Sequence, residues 1–153
     1  MKKPAVLLLE DGTLFNGFSF GHEGETAGEI CFNTSMTGYQ EVITDPARDG
    51  QIVVMTYTMI GNCGTNSEDT KNPPKLRGLV VREYCSNYEN WRAETSLDKF
   101  LKKHKLSGIE GVDTRKLTRH IRDKGTMRCI ISSTDLDKKS LQAKVLVAAQ
   151  KRN

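Results

Sequence analysis

The pattern of apolar and polar residues divides the chain into a strand-rich front and a back that mixes strands with helices. In the front, short apolar stretches stop at turn residues such as Asp11-Gly12, which is typical of strands joined by tight turns. The stretch 51–57 is mostly apolar and β-branched, as in a strand that is buried on both faces. The pattern predicts strands over residues 5–10, 13–20, 28–33, 51–57 and 76–83.

In the back, apolar residues recur at helical spacing. Leu97, Phe100 and Leu101 stand at positions i, i+3 and i+4 and predict a short helix over 96–104. Short apolar steps predict further strands over 109–112 and 127–132.

Two more helices follow from the same spacing. Leu117 and Ile121 share a face of a helix that should begin at Asp113 or Thr114 and stop at Gly125. Residues 136–150 predict a last helix, with Leu141, Val145 and Ala148 on one stripe. Strands first, then strands mixed with helices, predict one α/β domain over residues 1–153 with a mostly β front half.

Length and composition fit a single soluble domain. The chain has 153 residues, of which 37% are hydrophobic and 27% are charged. Its longest apolar runs, such as 5–9, are far shorter than the roughly 18 residues that span a bilayer, and Glu10 ends the run 5–9 without a cleavage site for a signal peptase. We therefore expect a cytoplasmic protein without a membrane partner, whose four cysteines are free thiols: Cys31, Cys63, Cys85 and Cys129.

No residue pattern predicts a catalytic or metal site. Cys63 lies in the glycine-rich stretch 61–64, which could expose a thiol, but a nucleophile needs a base, and the three histidines stand in no recognisable motif. Cysteines and histidines also lack the spacing of zinc ligands. Asp113 is expected to cap the helix that follows it.

Positive charge is concentrated in the helical part. Residues 97–128 contain ten Lys or Arg and four Asp or Glu, a net charge of +6. Arg115, Arg119 and Arg122 lie at helical spacing, opposite the predicted apolar face. This face fits a solvated or protein-docking surface; binding of nucleic acid or of another acidic partner is the alternative.

The densest polar segment runs from Phe32 to Glu41 and continues to Thr44-Asp45-Pro46. It follows a predicted strand directly and is rich in neutral hydrogen-bonding side chains. Such a segment is either a bulky surface loop or a recognition surface, and its composition alone does not separate the two.

This segment closely resembles the N-terminal domain of the small, glutamine-hydrolysing subunit of carbamoyl phosphate synthetase. Four other segments resemble the family in the same order along the chain: 9–13, 56–57 with 60–62, 78–82, and 113–118 with 122–125. The resemblance spans essentially all 153 residues through long and specific motifs, so the chain is identified as a member of that family.

The resemblance implies a swivelling β/β/α fold and a non-catalytic role. In the family, this domain docks the small subunit onto the large, ATP-using synthetase subunit and flanks the glutaminase site. The complex is a ligase that makes carbamoyl phosphate from glutamine, bicarbonate and ATP, for arginine and pyrimidine biosynthesis.

The family's catalytic Cys-His-Glu set belongs to a C-terminal class I glutaminase domain, which residues 1–153 do not include. None of the four cysteines lies in a motif that matches its nucleophile. The resemblance therefore implies that this domain alone is inactive and carries no cofactor, and that its partners are the large subunit and the glutaminase domain.

Two departures from the family pattern bear on the site. Ala47 stands where the family usually has a serine that is counted among the glutamine-binding residues. Thr58 stands where a proline is usual. For the subunit interface we expect the seven residues of the polar segment that have no evident local role: Thr34, Ser35, Met36, Thr37, Gly38, Tyr39 and Gln40.

Overall fold

The structure, a computed structural model, describes residues 3–33, 48–56, 76–82 and 101–150. Residues 101–103 are also helical, within the predicted helix 96–104, whose earlier residues lie outside the described ranges. In chain order the strands and helices are β1 (Lys3–Leu9), β2 (Leu14–Gly21), β3 (Glu25–Asn33), β4 (Gln51–Met55), β5 (Gly78–Val80), β6 (Ser107–Glu110), α1 (Thr114–Lys124), β7 (Arg128–Ser132) and α2 (Lys138–Gln150).

The seven strands close into a barrel in the order β1-β2-β6-β5-β4-β3-β7. The pairs β3–β4, β4–β5 and β5–β6 are parallel, whereas β1–β2, β1–β7, β2–β6 and β3–β7 are antiparallel. The α/β class predicted from the sequence is confirmed, as is the strand-rich front half.

The barrel interior explains why β1 is a continuous apolar run. Side chains alternate across a strand, so Ala5, Leu7 and Leu9 point into the barrel interior, where they join the main core cluster. Val6 and Leu8 point outward and pack beneath Leu141 and Val145 of α2. Both faces of β1 are therefore buried, and every one of these positions needs an apolar side chain.

A third apolar cluster covers the outside of the parallel strands. Val53 and Met55 of β4 pack there with Leu79 of β5 and with Leu101 and Leu106 from the segment that precedes β6. The strand 51–55 is thus buried on both faces, as its composition predicts.

Helix α2 is fixed to the barrel by charge as well as by packing. Lys144 Nζ lies 2.7 Å from Glu25 Oε2 of β3 and 3.1 Å from Asp135 Oδ2. Asp137 caps the helix by accepting a hydrogen bond from the Ser140 backbone N–H at 3.2 Å. The helix therefore begins at Lys138, two residues later than predicted.

Close approach of β2 and β6 depends on a glycine. A Cβ atom on Gly17 would clash with the backbone carbonyl oxygen of Glu110. Since these two strands are hydrogen-bonded neighbours in the barrel wall, a side chain at position 17 would push them apart.

Candidate functional site

Five of the seven strands end at one rim of the barrel. The pairing directions make β1, β3, β4, β5 and β6 run one way, and β2 and β7 the other. We call this rim the carboxyl mouth; it comprises residues 10–13, 33, 55–56, 80–82 and 110–113 together with helix α1. Ligands of sheets with parallel strands commonly bind outside the carboxyl ends of those strands, so this rim is the candidate site.

Helix α1 lies over the mouth. It begins just after the carboxyl end of β6 and ends just before the amino end of β7, and both strand ends lie at this rim. Leu117 and Ile121 point down into the main core cluster of the barrel. The helix therefore closes the interior at this end and presents its other face outward.

The ends of α1 are those expected from the sequence. The side chain of Asp113 accepts a hydrogen bond from the Lys116 backbone N–H at 3.1 Å, so the predicted cap is confirmed. Gly125 ends the helix with φ 87°, a backbone conformation that glycine adopts readily.

A histidine–aspartate pair ties α1 to the β1–β2 turn. His120 Nε2 lies 2.6 Å from Asp11 Oδ2, and Thr13 Oγ1 lies 3.4 Å from the same nitrogen. Burial by itself raises the pKa of the Asp11 carboxyl, but hydrogen bonds from the Thr13 backbone N–H and from His120 outweigh it, so the pKa lies below its usual value.

The side chains of His120, Asp11 and Thr13 form a clamp that holds α1 against the β1–β2 turn. They do not form a catalytic relay. In a Ser-His-Asp triad the acid and the nucleophile use different ring nitrogens, so that the ring can pass a proton between them. Here Asp11 and Thr13 both meet Nε2. The geometry fixes the helix against the turn without activating the Thr13 hydroxyl.

Further hydrogen bonds join neighbouring segments near the rim. Glu10 accepts a hydrogen bond from the Arg128 backbone N–H through Oε1 at 2.6 Å. The carbonyl oxygen of Glu10 also accepts one from Gln142 Nε2 of α2 at 2.9 Å. Thr126 Oγ1 donates to the carbonyl oxygen of Ile30 at 2.5 Å. Together these contacts make the described part of the rim a fixed platform.

The outward face of α1 is basic. Arg115, Arg119 and Arg122 are exposed, as the sequence predicts for a solvated face. The guanidinium carbon of Arg122 lies 6.0 Å from the centroid of the Phe32 ring, at the end of β3.

The two described cysteines carry no nucleophile-like chemistry. Cys129 is fully buried, and burial raises the pKa of its thiol well above the usual value. Burial also raises the pKa of Cys31, despite the nearby Arg48 guanidinium. The Cys31 thiol donates to Gln51 Oε1 at 3.0 Å, and both cysteines are unpaired.

The site residues expected from the sequence lie outside the described ranges. These are Ala47, the glutamine-contact position, and the interface segment from Thr34 to Gln40; Cys63, Cys85 and Thr58 also lie outside. Their points of attachment are described, however. The strands that precede these two segments, β3 and β4, end at the carboxyl mouth, and the strands that follow them, β4 and β5, begin at the opposite rim.

Three of the five sequence segments that carry the family resemblance meet at this mouth. Residues 9–13 form the β1–β2 turn, 78–82 include β5 and its end, and 113–125 include α1. The other two segments follow directly from β3 and β4. Only their order in the sequence was predicted; the convergence depends on barrel closure.

Two negative findings concern residues 3–33, 48–56, 76–82 and 101–150. Within them, no group of three or more His, Cys, Asp or Glu side chains could bind a metal ion. No helix there is long and apolar enough to cross a membrane.

Comparison with known proteins identifies what the chain is similar to. A family model described as the carbamoyl-phosphate synthase small chain, CPSase domain, matches residues 7–131. The carbamoyl phosphate synthase small chain of Aquifex aeolicus is 55% identical over 145 residues, which are 94% of this chain and 39% of the relative. The small chain of Thermotoga maritima is 55% identical over 146 residues, 95% of this chain and 37% of the relative. This chain thus spans less than two fifths of the length of these curated relatives.

Proposed function

This chain belongs to the carbamoyl-phosphate synthase small-chain family, and we propose that it is the non-catalytic N-terminal domain of the glutamine-hydrolysing small subunit. In this proposal it docks onto the large synthetase subunit and flanks the glutaminase site. The assembled ligase would make carbamoyl phosphate from glutamine, bicarbonate and ATP in the cytoplasm, for arginine and pyrimidine biosynthesis.

The convergence at the carboxyl mouth is the observation that supports docking there. Three of the five segments that resemble the family reach this rim and the other two start from strands that end at it, although the segments are scattered from residue 9 to residue 125. Clamping by Asp11 and His120 would keep such a surface rigid. A preorganised surface loses less conformational entropy on binding, which favours an interface.

The described residues support binding more than catalysis. The thiols of Cys31 and Cys129 both have raised pKa values, and His120 is held by Asp11. We therefore expect the purified chain to bind the large subunit and to release no ammonia from glutamine. Ammonia release by this chain alone, above the rate of a buffer blank, would contradict the proposal, as would a failure to bind the large subunit.

Tyr39 tests the proposed interface segment. Replacing Tyr39 by Ala should weaken association with the large subunit about tenfold or more, because aromatic side chains contribute strongly to interface cores. The Tyr39→Phe variant keeps the ring and serves as the matched control. Titration calorimetry with the large subunit measures both; an unchanged dissociation constant for Tyr39→Ala would mean that the segment is internally structural.

Ala47 tests the proposed glutamine contact in the whole enzyme. If the family's serine hydroxyl makes that contact, restoring it by Ala47→Ser should lower the KM for glutamine, since one hydrogen bond contributes about 1 kcal/mol. If the backbone makes it, the KM should not change. The large subunit's ammonia-dependent activity is the control, because it bypasses glutamine.

A further inference from the structure

Three arginines form a stripe along one flank of α1. Arg115, Arg119 and Arg122 stand at positions i, i+4 and i+7 and are exposed. We call these three residues the arginine stripe. Within the described ranges, Arg115 and Arg119 make no ion pair, even though Asp123 lies one turn away from Arg119. Arg115 and Arg119 are therefore exposed charges without an ion-pair partner among these residues.

Arginine and lysine occupy different exposed positions of α1. Arginine occupies all three positions of the stripe, whereas lysine occupies the other exposed basic positions of the helix, Lys116 and Lys124. Either residue would make the helix soluble. Arginine differs because its planar guanidinium binds carboxylates through two parallel hydrogen bonds. The pattern favours recognition of a carboxylate-bearing surface.

The position of the stripe ties it to the carboxyl mouth. Arg122 lies over the ring of Phe32, one residue before the end of β3. The segment 34–47, which contains the proposed interface residues, continues from that strand. The opposite flank of α1 carries His120, which is engaged by Asp11. The stripe therefore lies on the flank of the helix that faces the end of β3.

We propose that the arginine stripe binds an acidic surface patch on the large synthetase subunit. This inference rests on the proposed function, since it names a second contact of the same partner. Arg115 and Arg119 would form ion pairs with Asp or Glu side chains of the partner. Because exposed charges accelerate encounter and are screened by salt, this contact should contribute mostly at low ionic strength.

A nucleic acid is the competing ligand for such a stripe. Single-stranded nucleic acid binding combines basic residues with aromatic side chains on which bases stack. Phe32, the aromatic ring beside the stripe, lies partly buried against the main core with Arg122 over it. The described surface thus supplies charge without an open stacking platform, which favours a protein partner.

The test compares two charge-matched double variants of this chain. Arg115→Gln/Arg119→Gln removes two positive charges from the stripe. Lys138→Gln/Lys139→Gln removes two from the start of α2, which follows β7 at the opposite rim of the barrel. All four side chains are exposed, so both variants should fold, and circular dichroism checks this. Arg122 is left in place because it packs over Phe32.

Association with the purified large subunit is measured by biolayer interferometry from about 50 to about 300 mM salt. We expect the arginine variant to bind about tenfold more weakly at the lowest salt, and the difference to shrink as salt rises. The lysine variant should stay within about twofold of the unmodified chain. Arg115→Lys/Arg119→Lys should fall between them, because it keeps charge but loses the bidentate geometry.

Each other outcome overturns a specific claim. Equal binding by the arginine and lysine variants would overturn the stripe contact and leave the proposed function standing. No binding by the unmodified chain would overturn the proposed function, and the stripe contact with it. A labelled DNA duplex that the chain binds through the stripe, with binding of the large subunit unaffected by the arginine variant, would assign the stripe to nucleic acid instead.

Discussion

Asp11 and His120 are 109 positions apart in the sequence, yet their side chains are joined by a contact of 2.6 Å. Asp11 belongs to the turn after β1, and His120 to the middle of α1. A contact of this kind adds little stability beyond that of the hydrogen bonds between strands. It does fix the angle at which the helix crosses the mouth. At this scale, the two titratable side chains serve the geometry of the rim.

The pH dependence of stability tests the Asp11 clamp. The folded-state pKa of Asp11 lies below its unfolded value of about 3.9, so the charged carboxylate stabilises the fold above that pH. This contribution is lost as the pH falls through the folded-state pKa. Replacing Asp11 by Asn should therefore destabilise the chain at pH 7, by less than about 1 kcal/mol because the carboxyl is partly exposed, and have little effect near pH 3.

Urea unfolding at several pH values measures this difference. Asp123→Asn is the control, since Asp123 is exposed on the same helix and makes no ion pair within the described residues. A destabilisation by Asp11→Asn that is as large at pH 3 as at pH 7 would show that the carboxylate charge is not the cause.

Single residues were predictable where their role is local. Asp113 stands one position before the first residue of α1, Thr114, so its capping role follows from the sequence. The pairing of Asp11 with His120 has no such signal, because neither residue's neighbours indicate the other. The contact of Arg122 with Phe32 is of the same kind, since the two partners are 90 positions apart in the chain.

Among the elements, α1 connects the core to the proposed interface. Its buried side packs Leu117 and Ile121 into the barrel, and its exposed side carries the arginine stripe. A change on the buried side should therefore alter both the stability of the barrel and the placement of the stripe.

Leu117→Ala tests how far α1 contributes to the core. Leu117 is 0% exposed, so truncation should lower the free energy of unfolding by about 2–5 kcal/mol, through lost burial and a residual cavity. Leu146→Ala on α2 is the matched control: its side chain is 44% exposed, and the change should cost less than about 0.5 kcal/mol. Equal effects in urea unfolding would mean that α1 is not an integral part of the core.

The strands were predicted well where at least one face of the strand is apolar. The strand predicted over 5–10 is observed as Lys3–Leu9, and that over 127–132 as Arg128–Ser132. The strand predicted from residue 28 instead begins at Glu25, because its first residues place polar side chains outward, where Glu25 pairs with Lys144. The strand predicted over 76–83 is shorter, Gly78–Val80.

At the scale of the whole molecule, closure of the barrel creates the carboxyl mouth. The sequence predicts the α/β class and most strands, but closure depends on pairing β1 with β7 and β2 with β6, which are far apart in the chain. The periodicity of apolar residues predicts which face of a strand is buried, but it does not predict which other strand pairs with it. The meeting of the family segments 9–13, 78–82 and 113–125 at one rim could therefore be seen only in the folded chain.

The central claim, that the large synthetase subunit covers the carboxyl mouth, is tested most directly by hydrogen–deuterium exchange. Exchange in this chain is compared, peptide by peptide, with and without a saturating amount of that subunit. We predict slower exchange in the bound state for peptides that cover residues 32–47 and 111–124, and no change for peptides that cover 133–142. Protection confined to 133–142, or binding that leaves 32–47 and 111–124 unprotected, would contradict the claim.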